Sequence, residues 1–585
     1  MEEISTEVLV VGGGTGGTAA AIQAARRGAQ TVLVSKFSWL GGMLTSAGVA
    51  APDGNELAAF QTGLWGAFLR ELQQRQKEGL DHAWVSFFTY EPRVGAAIFA
   101  DWVQQLPNLR WIQGQVPLEV QKAGNTVTGV RFADYKIQAK ITLDGTELGD
   151  LLALGEVPYR WGWEWRSHWQ EPSAPDRPNA LTQQYPVQAP TWIVVLQDFG
   201  EGQAPPIEAE SELSFEGTWQ GYGAEQFLNY GRLPGNRFML NWPQQGNDYG
   251  VGLQRLVQSE SDRQDFLREA QAHSQHFAHF LQQQFGRRYG LAENTFPQQQ
   301  LGGGAYALHP YYRESRRLQG LVTVREQDIL PQVQSQVAAL PLNEIGEVEA
   351  IAFGNYANDH HYPGFEFSLQ PKSIRWGGRW TGTPFALPYR CLVPAEMEGL
   401  LVCEKNISVS HIANGATRLQ PVVLGLGQAA GMAAALCVQQ GCQPRDLSVR
   451  RLQEALLEDA IAPPMLIPLF NLPPEHPDWL FWQRYYLDHP ESYPADGYCP
   501  GLAHVAGSAT GCELFTGNFQ RRGEQDYGLT VEQPIALVGE VISLVTLRHE
   551  VDERLSQFKT GEKLRVEGWL NRSGNWLRVE RIEAS

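Results

Sequence analysis

The sequence predicts an α/β protein in three parts: a parallel-sheet nucleotide-binding domain, an α+β insertion within it, and a small all-β appendage at the C-terminus. Three observations carry this. Residues 7–36 run strand, glycine turn, helix and strand. Between about 155 and 388 the composition becomes Trp- and Pro-rich, and residues 531–585 alternate apolar and polar side chains between turns.

The opening stretch is the most specific. An apolar run, Val8 to Val11, meets Gly12-x-Gly14-x-x-Gly17; an alanine-rich helix starts at Thr15, Gly28 ends it, and a second strand covers Thr31 to Val34. This is a Rossmann-like βαβ unit with separate duties for its glycines: Gly12 for the tight turn, Gly14 for close approach of a pyrophosphate, Gly17 for helix-on-strand packing. The helix start offers free N–H groups and a positive dipole end to phosphate. The second strand of such a unit usually ends in an acidic ribose ligand. Here that position is Ser35, a weaker acceptor, followed by Lys36, which tolerates a nearby phosphate.

A chain of 585 residues exceeds a single core and predicts several domains: 1–155 with 388–460 as the discontinuous nucleotide-binding domain, 156–387 as an inserted substrate or cap domain, 461–530 as a Pro/Trp-rich arm, and 531–585 as a β unit. The net charge of −18 argues against nucleic acid as a partner, since that needs a basic face. No signal peptide and no apolar run of membrane-spanning length are visible, which with six scattered cysteines and no CxxC predicts a cytoplasmic protein with reduced thiols and no metal centre. His273, His276 and His279 lie on one predicted helix, 253–285, without further ligands, and read as solvated or capping residues.

The first two elements are followed by the loop Trp39-Leu-Gly41-Gly42-Met43-Leu-Thr45, slim enough to run close to a flat ring. Helices are predicted at 56–77 and 92–106, then a β-meander from Leu109 to Leu143. Its last strand ends at Asp144-Gly145-Thr-Glu147, another glycine-containing acidic turn before a helix. Trp161, Trp163 and Trp165 alternate, which predicts one packed face of a strand or extended segment, or an aromatic substrate wall. Asn241 to Tyr249 is a polar loop without an obvious catalytic group.

These motifs resemble the FAD-dependent oxidoreductases that carry a glutathione-reductase type of FAD domain. The resemblance covers about residues 5–460. It rests on the glycine fingerprint, Leu40-Gly-Gly-Met-Leu-Thr45, Asp144 to Tyr159, Arg313-Glu-Ser-Arg-Arg317, Tyr356-Ala-Asn-Asp359-His-His361 and His411 to Gly431. It implies FAD as cofactor. It also implies that Val116, Asn406 and Arg418 join the residues named above in the FAD site. Pro421 and Gly425 would stand in the first turns of a closing helix facing the flavin pyrimidine, where the helix dipole stabilises negative charge.

With one dinucleotide fingerprint and no CxxC, the expected reaction is hydride removal from a small organic substrate, carboxylate-bearing or aromatic, to flavin N5, with reoxidation by oxygen, a quinone or a protein carrier. Arg313 and Arg317 are candidates for holding a carboxylate, or members of an internal Arg–Glu lattice. Asp359 and His361, two apart on an extended segment, share a face; the carboxylate would fix the tautomer of a general base, or the pair is a satisfied polar contact. His411 precedes the closing helix, where the ring should lie. The alternative is a binding or assembly subunit with structural FAD, whose β appendage contacts a protein partner or caps the fold.

Overall fold

The computed structural model describes residues 1–209, 213–243, 245–502 and 511–583. Gln244 of the 241–249 loop and residues 503–510 of the arm lie outside the described residues. The first domain is built on six strands: β1 (Glu2–Val11), β2 (Thr31–Ser35), β3 (Leu109–Gln113), β4 (Glu119–Ala123), β5 (Thr126–Arg131) and β6 (Tyr135–Asp144). Their order is β3-β2-β1-β6-β5-β4, and Leu400–Val402 pairs with the end of β6. The pairs β3–β2, β2–β1, β1–β6 and β6 with Leu400–Val402 are parallel, whereas β4, β5 and β6 form the antiparallel meander. β3, expected in the meander, instead edges the parallel sheet. Val8 to Val11 are almost fully buried because both faces of a parallel sheet are covered, so the run is continuously apolar.

The helix Thr15–Arg26 follows β1, and the closing helix Gln420–Gln440 lies against it. Backbone meets backbone along this contact. A Cβ on Gly427 would lie 2.1 Å from Gly16 O, and one on Gly431 2.2 Å from Ala20 O. Among the described residues, one helix, Gln420–Gln440, is long and apolar enough to cross a membrane, and 89% of its apolar window is buried inside the protein.

In the insertion, the strands Tyr289–Leu291, Val194–Asp198, Arg237–Leu240 and Arg232–Leu233 make a sheet in that order, and the helix Glu260–Phe285 packs on it. Phe277 and Leu281 of the helix meet Val194, Leu196, Phe238 and Leu240. Ser259 caps the helix by accepting from Asp262 N–H, which splits the single helix expected over 253–285 into a short turn, Arg255–Gln258, and the long helix. The tryptophan run is not a strand: after Tyr159–Arg160 it turns into the short helix Arg166–Trp169. Trp163 packs on His411 with ring centroids 4.0 Å apart and on Tyr362 at 5.4 Å, so its alternation reflects packing.

The C-terminal unit is a closed barrel of five strands, Glu513–Gly523, Asp526–Gln533, Val541–Val545, Lys563–Asn571 and Trp576–Ile582, with the helix His549–Leu555 between the third and fourth. The third and fifth strands pair in parallel, the connectivity of an OB-type barrel. Its first strand starts well before the expected boundary at 531, which falls inside the second. The barrel has its own core around Phe515, Phe519, Leu529 and Leu577, yet Val545, Leu547 and Trp576 join the core of the main body.

Candidate functional site

A cavity of about 770 Å³ opens at the start of the first helix. The predicted residues Gly12, Gly14, Ser35, Lys36, Val116, Gly145 and Glu147 line it. Gly12 is left-handed (φ 106°) and a Cβ there would strike Gly145 O at 2.2 Å, so the turn requires glycine. A Cβ on Gly14 would meet Glu404 Oε2 at 2.6 Å, and one on Gly17 would meet Gly12 O at 2.1 Å. Thr15 donates its hydroxyl to Gly41 O at 2.8 Å, which ties the loop through Gly41, Gly42, Met43 and Thr45 over the first turn. Thr45 in turn donates to Leu40 O at 2.5 Å.

The far wall comes from the insertion: Glu260 and Arg263 at the start of the long helix, with His309 and Tyr312. The ring of His309 is stacked on Phe37 at 4.8 Å. His309 Nδ1 lies 2.9 Å from Pro310 O, a pure acceptor, so Nδ1 carries the hydrogen and Nε2 accepts from Ser46 Oγ at 3.0 Å. Burial pushes the imidazole pKa down, which agrees with a neutral ring.

Three predicted contacts have other partners. Ser35 Oγ donates to Phe37 O at 2.8 Å and accepts from Trp111 Nε1 at 2.9 Å, so most of its capacity is used internally. Asp144 is fully buried and accepts from Thr146 N at 3.0 Å, Thr146 Oγ1 at 2.6 Å and Leu151 N at 3.2 Å; it pins the turn after β6. Burial raises its carboxyl to about 6. Asn406 donates to Asp144 O at 3.1 Å and accepts from Glu404 N at 3.1 Å, a scaffold role.

Sequence reasoning missed Glu404 and Lys405. Gly16 N–H donates to Glu404 Oε2 at 2.7 Å, and Lys405 Nζ bridges Glu404 Oε1 at 2.8 Å and Glu147 Oε2 at 2.6 Å. Burial holds the Glu404 carboxyl above its usual range. Burial is the largest influence on Glu147 and pushes its carboxyl up, but Lys405 and His309 together draw it below its ordinary range. The N–H groups of Gly14 and Thr15 find no acceptor among the described residues. The first turn therefore presents two open amides with a Glu–Lys–Glu triad beside them.

The second half of the site lies at the start of the closing helix. Five charged groups alternate there. Arg313 Nη1 is 3.2 Å from Asp248 Oδ1, His361 Nδ1 is 2.7 Å from Asp248 Oδ2, His361 Nε2 is 2.9 Å from Asp359 Oδ2, and Arg418 Nη2 is 2.9 Å from the same Asp359 oxygen. Arg418 Nη1 also donates to Tyr311 OH at 2.6 Å. The pairing of Asp359 with His361 is present, but the free imidazole nitrogen expected of a general base is not. Both nitrogens face carboxylates, so both must carry hydrogen for both bonds to form. The signal for Asp248 was out of reach in sequence, 113 residues away.

Arg317 and His411 belong to a buried lattice. Arg317 pairs with Glu164 at 2.8 Å and Glu314 at 3.1 Å; His411 Nδ1 meets Glu314 at 2.8 Å and its Nε2 meets Tyr362 OH at 2.6 Å. These forks serve internal carboxylates and leave none open to a substrate carboxylate. Pro421 sits in the first turn of the closing helix, and Gly425 one turn on faces Ala352. Around that first turn, several buried polar atoms have no partner among the described residues: both side-chain atoms of Asn358, Asn414 Oδ1 and Gln420 Oε1. Unpaired buried amides of this kind cost free energy unless a ligand meets them, and alternating donors and acceptors such as those of a pyrimidine edge are the chemistry that would match them. The glycine cradle, the open amides and these orphaned groups fit a dinucleotide with a heteroaromatic second half.

A family profile described as FAD dependent oxidoreductase matches residues 7–456. The chain belongs to the FAD-dependent oxidoreductases. Its cofactor is FAD. No curated protein matches it in sequence. Among solved structures, GidA of Aquifex aeolicus is 20% identical over 24% of each chain with a TM-score of 0.19. Thioredoxin reductase of T. acidophilum is 19% identical over 28% of this chain and 40% of that one, with a TM-score of 0.16. L-Proline dehydrogenase of P. horikoshii is 13% identical over 34% and 62%, with a TM-score of 0.23. Each overlap spans less than two thirds of the neighbour, and none bears on activity. No group of three or more His, Cys, Asp or Glu able to hold a metal occurs among the described residues of this flavoprotein.

Proposed function

We propose that this oxidoreductase takes a hydride from a small organic substrate bound in the polar crevice at the start of the closing helix. The observation that carries the reading is the pairing of two helix starts. Gly16 touches Gly427, seven residues into the closing helix, so the two starts are offset by roughly 10 Å along the axis. The open amides of Gly14 and Thr15 would hold the pyrophosphate of a dinucleotide lying across both, and Asn358, Asn414 and Gln420 would meet its ring. Lys405 ties Glu147 and Glu404 together beside the turn that would hold the phosphates, and Phe37 and His309 wall the cleft. When bound, FAD supplies the two-electron acceptor that no side chain provides.

The chain's own residues shape the rest. Tyr311 and Asp359 immobilise Arg418 at the helix start, where its charge and the helix dipole favour electron density arriving nearby. The Arg313-to-Arg418 chain holds the crevice floor rigid. Gly302, Gly303 and Gly304 lie in a loop with positive φ and no βαβ frame, which supports an electron acceptor other than a second bound dinucleotide. Oxygen, a quinone or a protein carrier would serve as that acceptor. Anaerobic mixing of the yellow protein with a metabolite panel tests this: rapid bleaching by one class supports it, recovery of colour in air marks an oxidase, and a flavin bleached by nothing in the panel refutes it.

A further inference from the structure

One carboxyl in the partly exposed polar cluster at the start of the closing helix, the crevice of the reading above, lacks what its neighbours have. Asp53 is half-buried and makes no hydrogen bond or ion pair among the described residues, whereas Asp248 and Asp359 are matched to His361, Arg313 and Arg418. It stands beside the closing helix: a Cβ on the next residue, Gly54, would lie 3.9 Å from Leu419, the residue capping that helix, and 3.7 Å from Tyr356 Cβ. Asp53 interacts electrostatically with Glu56, Asp359, Arg379 and Arg418, and with the phenols of Tyr230 and Tyr356. Neither phenol hydroxyl has a partner among the described residues. Arg379 is clamped between the rings of Phe87 at 4.5 Å and Trp576 at 4.7 Å, with its buried Nη1 unpartnered.

We propose that Asp53 is the proton acceptor of the reaction and that the crevice takes a small neutral alcohol, held by the Tyr230 and Tyr356 hydroxyls. This rests on the hydride-transfer reading above. The O–H bond of the alcohol breaks with its proton passing to the Asp53 carboxylate, the adjacent C–H bond breaks with hydrogen and both electrons passing to FAD, and a C=O bond forms. A neutral substrate fits because the charges of Arg313 and Arg418 are matched by Asp248 and Asp359, each guanidinium keeping only a buried Nε–H without a partner, while phenols and carboxyls supply the other polar groups. Burial first, then Glu56 and Asp359, lift the Asp53 carboxyl to about 8, against the pull of Arg379 and Arg418. A base of that strength is well matched to alcohol oxidation near neutral pH.

The test uses the FAD-loaded full chain, wild type, Asp53→Asn and Asp53→Glu, mixed anaerobically with simple primary and secondary alcohols and polyols, and in a second arm with primary amines, from pH 6 to 9.5. The expected result is bleaching by alcohols at a rate that climbs with pH and levels above about 8. Asp53→Asn should be slower by roughly two to four decades and flat in pH, and Asp53→Glu should restore a titrating profile. Infrared difference spectra should show a protonated carboxyl in the wild type at pH 7 that is lost at pH 9.5 and missing from Asp53→Asn. FAD content and dithionite reduction should be equal in all three. Asp53→Asn reduced at the parental rate, bleaching by amines alone, or no titrating carboxyl each overturns the inference. Protein that takes up no FAD, or flavin bleached by no metabolite class, overturns the reading beneath it instead.

Discussion

Replacing His361 by alanine tests the alternating charge chain most directly. In the parent, one imidazole separates two carboxylates, at 2.7 Å from Asp248 and 2.9 Å from Asp359. Asp248 is almost fully buried. Removing the ring leaves each aspartate one arginine and brings two negative charges into mutual view across a void. Breaking a buried ion pair by deleting one partner costs about 3–5 kcal/mol, and the cavity adds to it. Urea unfolding of the FAD-loaded protein at pH 7 should therefore show a loss of that size, with no change in slope. Pairing His361→Ala with Asp359→Asn removes one of the facing charges and should recover part of the loss, a non-additivity that separates charge repulsion from lost packing. The reasoning is refuted if His361→Ala unfolds at the parental urea concentration while its flavin is reduced a hundredfold more slowly. That outcome would return His361 to the role of catalytic base.

Gly14→Val should purify colourless, because its Cβ would lie 2.6 Å from Glu404 Oε2 and 3.1 Å from Glu147 Oε1, and flavin absorbance at full occupancy would displace the pyrophosphate from this turn. Asp53→Asn should stabilise the protein: a carboxyl raised from 3.8 to about 8 keeps full stability only below pH 3.8 and loses it as pH rises toward 8. By pH 7 that amounts to on the order of 4 kcal/mol, so the variant's advantage in thermal unfolding should be small at pH 4.5 and largest at pH 8; equal curves would contradict it. Asp248 and Asp359 are held below the ordinary range although burial opposes it, Asp248 chiefly by Arg313 and Asp359 chiefly by His361. Their stabilisation should disappear as pH falls below 3.8, and parallel acid-unfolding midpoints for wild type and Asp359→Asn would argue otherwise. A chain cut before Glu513 loses Leu547 and Trp576 from the main core, so it should expose apolar surface and bind a hydrophobic dye; a soluble, dye-silent, yellow product would make the barrel a separable domain.

The fingerprint was legible because its three glycines fall at a fixed short spacing between a strand and a helix, although the groups that crowd Gly12 and Gly14, Gly145 and Glu404, come from distant parts of the chain. The closing helix was legible for the same reason, in its small residues and Pro421. Charge partners were not: Asp248 reaches His361 across the insertion, and Glu164 reaches Arg317 153 residues away. Sequence spacing therefore suggested a two-member pair where the fold assembles five groups. The tryptophan alternation left strand and extended segment open because both have the same period, and the structure shows the extended segment, packed on His411 and Tyr362. Asp53 was hidden differently. In Ala-Pro-Asp-Gly-Asn it reads as an ordinary turn residue, and nothing nearby in sequence reveals its isolation from partners. The barrel boundary was missed because Phe515, Gly517 and Phe519 alternate with longer polar side chains in a stretch rich in turn-forming residues.

The barrel's docking gives its position a chemical consequence. Gly377 and Gly378, at the tip of the hairpin that carries Arg379, press against Thr546 O and Leu544 O, where added Cβ atoms would lie 2.3 and 2.2 Å away. Trp576 then closes over the Arg379 guanidinium from the barrel side, and Asn571 donates to Ala83 O at 2.7 Å to fix the same seam. Arg379 lowers the pKa of Asp53 and Glu56 against their burial. Holding that cation in an aromatic clamp keeps its charge close and part of it, Nη1, out of water, which strengthens its action. A displacement of the barrel that exposed Arg379 further would weaken this pull and raise both carboxyls. The appendage is thus coupled electrostatically to the crevice without lending it a side chain that touches Asp53.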